Sequence, residues 1–129
     1  MVHHNPLFVN WKEQFRVRVS SNSNSPISQN KHDIVKVVIM QCILKKHKNR
    51  NRQLVYSEYD IGNGKVADVY HQDNELQIGY EVQYNIDKRW INETIKKYDE
   101  CGVQLVIIPL KKLSNNLIKL QSQIQTFVI

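Results

Sequence analysis

Residues 54–84 read LVYSEYDIGNGKVADVYHQDNELQIGYEVQY, and this stretch decides the fold. Three runs in it, LVYSEYDIG (54–62), KVADVYH (65–71) and LQIGYEVQY (76–84), are rich in Val, Ile and Tyr and follow a period of two. Such residues suit a pleated, half-buried surface. The connectors are short. Gly62–Asn63–Gly64 separates the first two runs, and Gln72–Asp73–Asn74–Glu75 the last two. Gly, Asn and Asp between β-rich runs are hairpin signals, so the stretch predicts a three-stranded antiparallel meander.

On either side the period changes. Upstream, KHDIVKVVIMQCILKKHK (31–48) places Val35, Val38, Ile39, Cys42 and Ile43 on one broad helical face, with a basic last turn suited to the helix dipole. Downstream, Asn85 or Asp87 can cap a helix over 87–101, where Ile91, Ile95 and Tyr98 share a face and Gly102 stands at the C-terminal cap. VQLVIIPL (103–110) predicts a strand covered on both faces and ended by Pro109. Leu113, Leu117, Leu120, Ile124 and Phe127 predict a final amphipathic helix over 111–127. The order is helix, three strands, helix, strand, helix, which is an α/β domain. Residues 31–129 form it. Residues 1–30 are an N-terminal segment: Phe8, Trp11 and Phe15 fit a helical face, VRV (17–19) fits a strand, and SSNSNSPISQN (20–30) has linker composition.

Size and charge narrow the function. The 129 residues suffice for one domain with a modest core. Lys and Arg number 18 against 12 Asp and Glu, a net charge of +6 that favours a polyanionic partner. No apolar run approaches the ~20 residues of a membrane span, and no signal peptide opens the chain, so a cytoplasmic address with no membrane partner is expected. The two cysteines, Cys42 and Cys101, form no CxxC pair, which makes a zinc ribbon or an iron–sulfur cluster improbable and reduced thiols the expectation.

The chemistry sits in the meander. Asp68 is flanked by Ala67 and Val69, and Glu81 by Tyr80 and Val82, so both carboxylates stand among apolar residues on neighbouring strands. Burying a lone carboxylate is costly, and two close together repel. A hard divalent cation between them resolves both problems, and Mg²⁺ takes one or two carboxylates plus water and phosphate oxygens. Gln83 follows Glu81 on the same strand face, about 7 Å along. The competing interpretation is a solvated sheet face with the acids in water.

Asp68, then twelve residues, then Glu81–Val82–Gln83 resembles the D-x(n)-(D/E)-x-K signature of the PD-(D/E)xK nuclease superfamily. The order of elements around it, with the acidic Glu58 strand, Val66–Ala67–Asp68–Val69, Tyr98 in the following helix and the apolar 103–108 strand, is closest to the competence-protein CoiA-like branch. The resemblance covers about residues 31–110. It implies a restriction-endonuclease-like αβββαβ core: a mixed sheet whose antiparallel three-strand meander is flanked by helices, here with an added C-terminal helix. It implies that Asp68, Glu81 and the main-chain carbonyl of Val82 bind Mg²⁺ or Mn²⁺. Glu58 would be an accessory acid, and Gln83 would take the slot that most members fill with Lys. Lys can deprotonate or orient a water and carry charge, whereas Gln can only hydrogen-bond, although the CoiA-like branch also tends to have Gln there.

The expected activity is metal-dependent hydrolysis of DNA. The basic run Lys45, Lys46, Lys48, Arg50, Arg52 and, further on, Arg89 are candidate phosphate contacts; a solubilising helix end is the alternative for the run. His32 and Lys36 lie one turn apart on the first helix and face either the site or solvent. Tyr80 and Tyr84 are either core or nucleotide contacts. A domain this small grips both strands of a duplex with difficulty, which makes a homodimer an expectation, with the 111–127 helix either at its interface or packed on its own sheet. Alternatives are a dimeric Holliday-junction resolvase, a catalytically silent DNA-binding domain of the same fold, and a basic structural module without metal binding.

Overall fold

The computed structural model describes residues 27–48, 53–74 and 76–129. The expectations for Phe8, Trp11, Phe15, Arg50 and Arg52 lie outside those residues. The elements are α1 (Ile27–Lys46), β1 (Leu54–Gly62), β2 (Lys65–Gln72), β3 (Gln77–Gln83), α2 (Lys88–Cys101), β4 (Gln104–Pro109), a single 3₁₀ turn (Leu110–Lys112) and α3 (Leu117–Phe127). The sheet has strand order β1-β2-β3-β4. β1, β2 and β3 form the antiparallel meander, and β4 returns parallel to β3. A parallel return needs a long crossover, which α2 supplies. No helix of the described residues is long and apolar enough to cross a membrane.

Helices cover both faces of the sheet. One face carries the larger core: Ile34, Val35, Val38, Ile39 and Ile43 of α1 and Leu120 and Ile124 of α3 meet Val69, Ile78, Tyr80 and Val82. The other face carries a smaller cluster of Ala67, Tyr70, Tyr98 and Val103. Alternation along β3 explains the division. Ile78, Tyr80 and Val82 point to the larger core, leaving Gly79, Glu81 and Gln83 towards α2. Tyr80 is core, with its hydroxyl accepting a hydrogen bond from Ile129 N at 3.1 Å.

Several boundaries differ from the sequence expectation for identifiable reasons. α1 starts at Ile27, inside the stretch expected to be linker, and ends at Lys46. Among the described residues β4 is an edge strand, and only its Ile108 is fully buried. The expected 111–127 helix is broken. Its first residues make the 3₁₀ turn, and α3 begins afresh where the Asn116 side chain accepts from Lys119 N. α3 packs on its own sheet through Leu120 and Ile124. In α2 the inward residues are Thr94 and Tyr98, whereas Ile95 is exposed. Asp87 is the cap, accepting from Trp90 N at 2.8 Å, and Gly102 closes the helix at φ 68°, a left-handed position that favours glycine. Cys42 and Cys101 are free thiols.

Candidate functional site

The site begins where β1 and β2 both lose their alternation. Val55 packs on the larger core and Ile61 on the smaller one, although six residues along a regular strand return to the same face. Ala67 and Val69 are likewise divided between the two clusters, two residues apart. The pairing Ser57↔Val69 and Tyr59↔Ala67 brackets Glu58 opposite Asp68, so the two strands reverse phase at the same level. Glu58 makes the turn at φ 51°, a left-handed conformation that costs a non-glycine residue about 1–2 kcal/mol.

Asp68 is released from the ladder on its other side too. β2 and β3 pair from Gln72↔Gln77 as far as Val69↔Tyr80. Beyond that point Val82 N donates to Asp68 Oδ2 at 2.7 Å, so a side chain replaces the strand partner. Asp68 Oδ1 lies 3.5 Å from His32 Nε2 on α1. Burial pulls the His32 imidazole down, but the hydrogen bond and charge of Asp68 outweigh it and its pKa ends above the usual histidine value.

Glu81 sits deeper, at 4% exposure. Tyr98 donates to its Oε2 at 2.6 Å, and Lys65 Nζ stands 3.0 Å from Oε1. Burial raises its pKa, the neighbouring Asp68 charge raises it further, and the Tyr98 and Lys65 contacts oppose both. Burial and the Glu81 charge push Tyr98 far above the usual tyrosine value, so it remains a donor. Gly79 makes this contact geometrically possible. A Cβ there would fall 2.7 Å from the Tyr98 hydroxyl oxygen.

α1 contributes more than the sequence pattern suggests. Lys36 is buried and pairs with Glu58 Oε1 at 2.7 Å, so neither it nor His32 belongs to a solvated helix face. Asp33, which the sequence motifs do not single out, is 1% exposed, and neither of its oxygens has a hydrogen-bond partner. Its ion-pair neighbours stand off, His32 Nδ1 at 3.7 Å and Lys36 Nζ at 3.8 Å. Burial raises its pKa more than the Lys36 and His32 charges lower it. The available signal was an acid one turn before Lys36 in an otherwise apolar helix.

Other expected residues are placed apart. Gln83 shares the Glu81 face by alternation, but its amide donates to the Asn85 carbonyl at 3.0 Å. At Val82 the group engaged with Asp68 is the N–H. Lys45, Lys46 and Lys48 are exposed at the far end of α1, and the 14 residues from His32 to Lys46 correspond to about 21 Å of helix rise. Lys46 donates to the Val128 carbonyl at 2.9 Å, tying that end to the chain terminus. Arg89 is exposed and pairs with Glu93 at 3.0 Å. Tyr84 is exposed, with Lys111 Nζ 5.0 Å from its ring centre.

Asp33, Glu58 and Asp68 therefore come from α1, β1 and β2 to one region on the α1 side, linked by His32 and Lys36, while Glu81 stands on the α2 side of β3 beside Tyr98, near enough to Asp68 for the two charges to interact. Each of the last three acids carries a basic neighbour: Lys36 at Glu58, His32 at Asp68 and Lys65 at Glu81. Among the described residues, no three Asp, Glu, His or Cys side chains converge closely enough to enclose a metal ion as they stand. The chain matches no protein-family model, no curated protein and no solved structure.

Proposed function

We propose that the chain is a divalent-metal-dependent nuclease that hydrolyses phosphodiester bonds in DNA, built on a restriction-endonuclease-like core. The observation that carries this reading is Asp68. It leaves the strand ladder where β2 and β3 part, is held there by Val82 N–H and His32, and lies close enough to raise the pKa of Glu81. The helix–meander–helix–strand order and the β1-β2-β3-β4 arrangement support the fold assignment.

The donor set fits a hard cation. It is carboxylate oxygen, and the buried Asp33 carboxylate has no hydrogen-bond partner on either oxygen, His32 and Lys36 standing off at 3.7 and 3.8 Å. Asp68 and Glu81 would hold Mg²⁺ or Mn²⁺, with the Val82 carbonyl as a further ligand and Glu58 and Asp33 as accessory acids. When bound, the ion acidifies a water and offsets phosphate charge. The chain's own residues do the rest. Tyr98 fixes the Glu81 carboxylate, His32 fixes Asp68, and Lys36 supplies a cation beside Glu58 that Gln83 cannot supply from its own slot. Lys45, Lys46 and Lys48 hold flanking phosphates away from the acids.

The arrangement of Gln83 favours a second reading, a catalytically silent DNA-binding domain of the same fold, because its amide is committed to Asn85. A gel assay separates the two. Supercoiled, linear, single-stranded and four-way-junction DNA are incubated with Mg²⁺ or Mn²⁺, using the wild type and Asp68→Ala. Cleavage abolished in Asp68→Ala supports the nuclease; preferential cutting of the junction by a dimer specifies a resolvase. DNA binding without cleavage in either metal refutes the nuclease and leaves the silent domain.

A further inference from the structure

Three tyrosines stand in a column on β1 and β2. The Tyr59 ring lies 4.3 Å from Tyr70 at 13° and 5.3 Å from Tyr56 at 16°, centre to centre, so all three are close to parallel. Tyr56 and Tyr59 are three residues apart and meet on one side because the strand reverses phase at Glu58 between them. The inner end is anchored. Tyr70 is 3% exposed, packs with Ala67 and Tyr98, and its hydroxyl donates to Gln72 Oε1 at 3.1 Å. The outer end is exposed: Tyr56 is 43% exposed, and Tyr59, between it and Tyr70, 36%, on a strand that is at the sheet edge among the described residues. The column thus grows from the cluster that includes Tyr98, the residue that holds Glu81, and Tyr70 is two residues, about 7 Å, along β2 from Asp68.

We propose that Tyr56 and Tyr59 are a stacking platform for an unpaired nucleobase next to the phosphate delivered to Asp68 and Glu81, so that the substrate is single-stranded DNA or a branch with unpaired bases. This rests on the nuclease reading for the place of the phosphate. The occupant follows from the chemistry of the surface. Parallel rings with one open end offer a π-face of the size of a base, and a single strand presents such faces, whereas in a continuous duplex each base face is already stacked on its neighbours. The net charge of +6 suits the attached phosphates.

The test measures binding in EDTA, where metal-dependent cleavage does not intervene. Fluorescence anisotropy follows a short labelled single strand and a hairpin duplex of the same composition, with the full chain as wild type, Tyr56→Leu, Tyr56→Phe and Tyr59→Phe. Tyr56→Leu keeps apolar bulk and removes the π-face. It is expected to weaken single-strand binding about 5- to 140-fold, the range for one stacked base, with duplex affinity and the salt slope unchanged. Both Phe variants are expected to bind as the wild type does. Equal weakening on single strand and duplex, no weakening in Tyr56→Leu, or wild-type preference for duplex overturns the proposal. An RNA strand bound by the same residues leaves the platform standing and reassigns its sugar. Capture of an extended peptide by β1 with no single-strand binding overturns it. Because cleavage is not the readout, tyrosine-dependent binding by a protein that cuts nothing refutes the nuclease reading alone, and cleavage by a protein whose binding ignores Tyr56 refutes the platform alone.

Discussion

Replacing Tyr98 by Phe tests whether the Glu81 carboxylate is held as described. The substitution removes one oxygen and leaves the ring over Gly79. That oxygen donates to Glu81 Oε2 at 2.6 Å, and both residues are buried. A hydrogen bond to a charged acceptor contributes about 1.5–3 kcal/mol. For a domain of this size each kcal/mol moves the melting temperature by about 4 °C, so a fall of about 6–12 °C is expected near neutral pH. The pH dependence is more diagnostic than the size. The Glu81 pKa is already raised, chiefly by burial, and the Tyr98 bond works against that rise. A raised carboxylate pKa means that the folded state holds its proton more tightly than the unfolded chain. Its contribution to stability is complete below the unfolded value and is lost as pH climbs through the folded one. Tyr98→Phe raises the folded pKa further, so the variant should lose more stability than the wild type as pH rises through that range. The gap between them should narrow at acid pH, where both are protonated. Melting curves followed by circular dichroism from acid to slightly alkaline pH measure this. A gap that is absent, or equally wide at every pH, would refute the claim that the hydroxyl serves the Glu81 anion.

Gly79→Ala places a methyl 2.7 Å from the Tyr98 hydroxyl oxygen and should destabilise the fold by about 1–3 kcal/mol in urea unfolding; an unchanged midpoint would mean that the ring can move aside. In Asp33→Asn the burial-raised pKa is removed, so without added metal the variant should gain stability over the wild type as pH rises through the folded pKa and lose that gain at acid pH, measured by the same melting series. Neutralising Lys45, Lys46 and Lys48 together should reduce the log–log salt slope of DNA binding by ~1 for each phosphate that a lysine no longer neutralises, while sparing the metal-dependent cleavage rate at saturating DNA; an unchanged slope would move the binding surface to another face. Gln83→Ala should slow cleavage little, because its amide is engaged with Asn85, and a drop of about a hundredfold would show that it turns to the substrate.

The meander was legible because turn chemistry and β-rich composition agree. Gly62–Asn63–Gly64 and the β-rich runs on either side fix the hairpin, and β1 occupies the expected 54–62. The caps of α2 were legible for the same local reason, Asp87 and Gly102 each bonding within a few residues. Elements whose limits depend on distant packing were not. α3 is interrupted where Lys31 Nζ donates to the Leu113 carbonyl at 2.6 Å, a hydrogen bond spanning 82 positions that no periodicity records. The placing of Asp68 and Glu81 on neighbouring strands was readable from spacing, and His32 was weighed as facing either them or solvent, but the Lys65 partner of Glu81 was not singled out. Lys65 begins β2, and only the folded sheet brings it to the Glu81 carboxylate.

The phase reversal links these observations. Had β1 and β2 kept strict alternation, Val55 and Ile61 would share a face and one of the two clusters would lose a member. Glu58 and Asp68 instead occupy the reversal itself, where a residue belongs to neither face and its side chain leaves near the plane of the sheet. That is why the Glu58 carboxylate reaches Lys36 on α1, and why Asp68 can accept from Val82 N while remaining in reach of His32. The same reversal sets Tyr56 beside Tyr59 and builds the aromatic column on the opposite side. A left-handed glutamate in a strand is a strain the fold could avoid with glycine, and glycine would carry no carboxylate. The strained backbone at Glu58 thus goes together with two acids turned towards α1 on one side of the strands and, on the other, an aromatic column whose outer ring, Tyr56, is exposed.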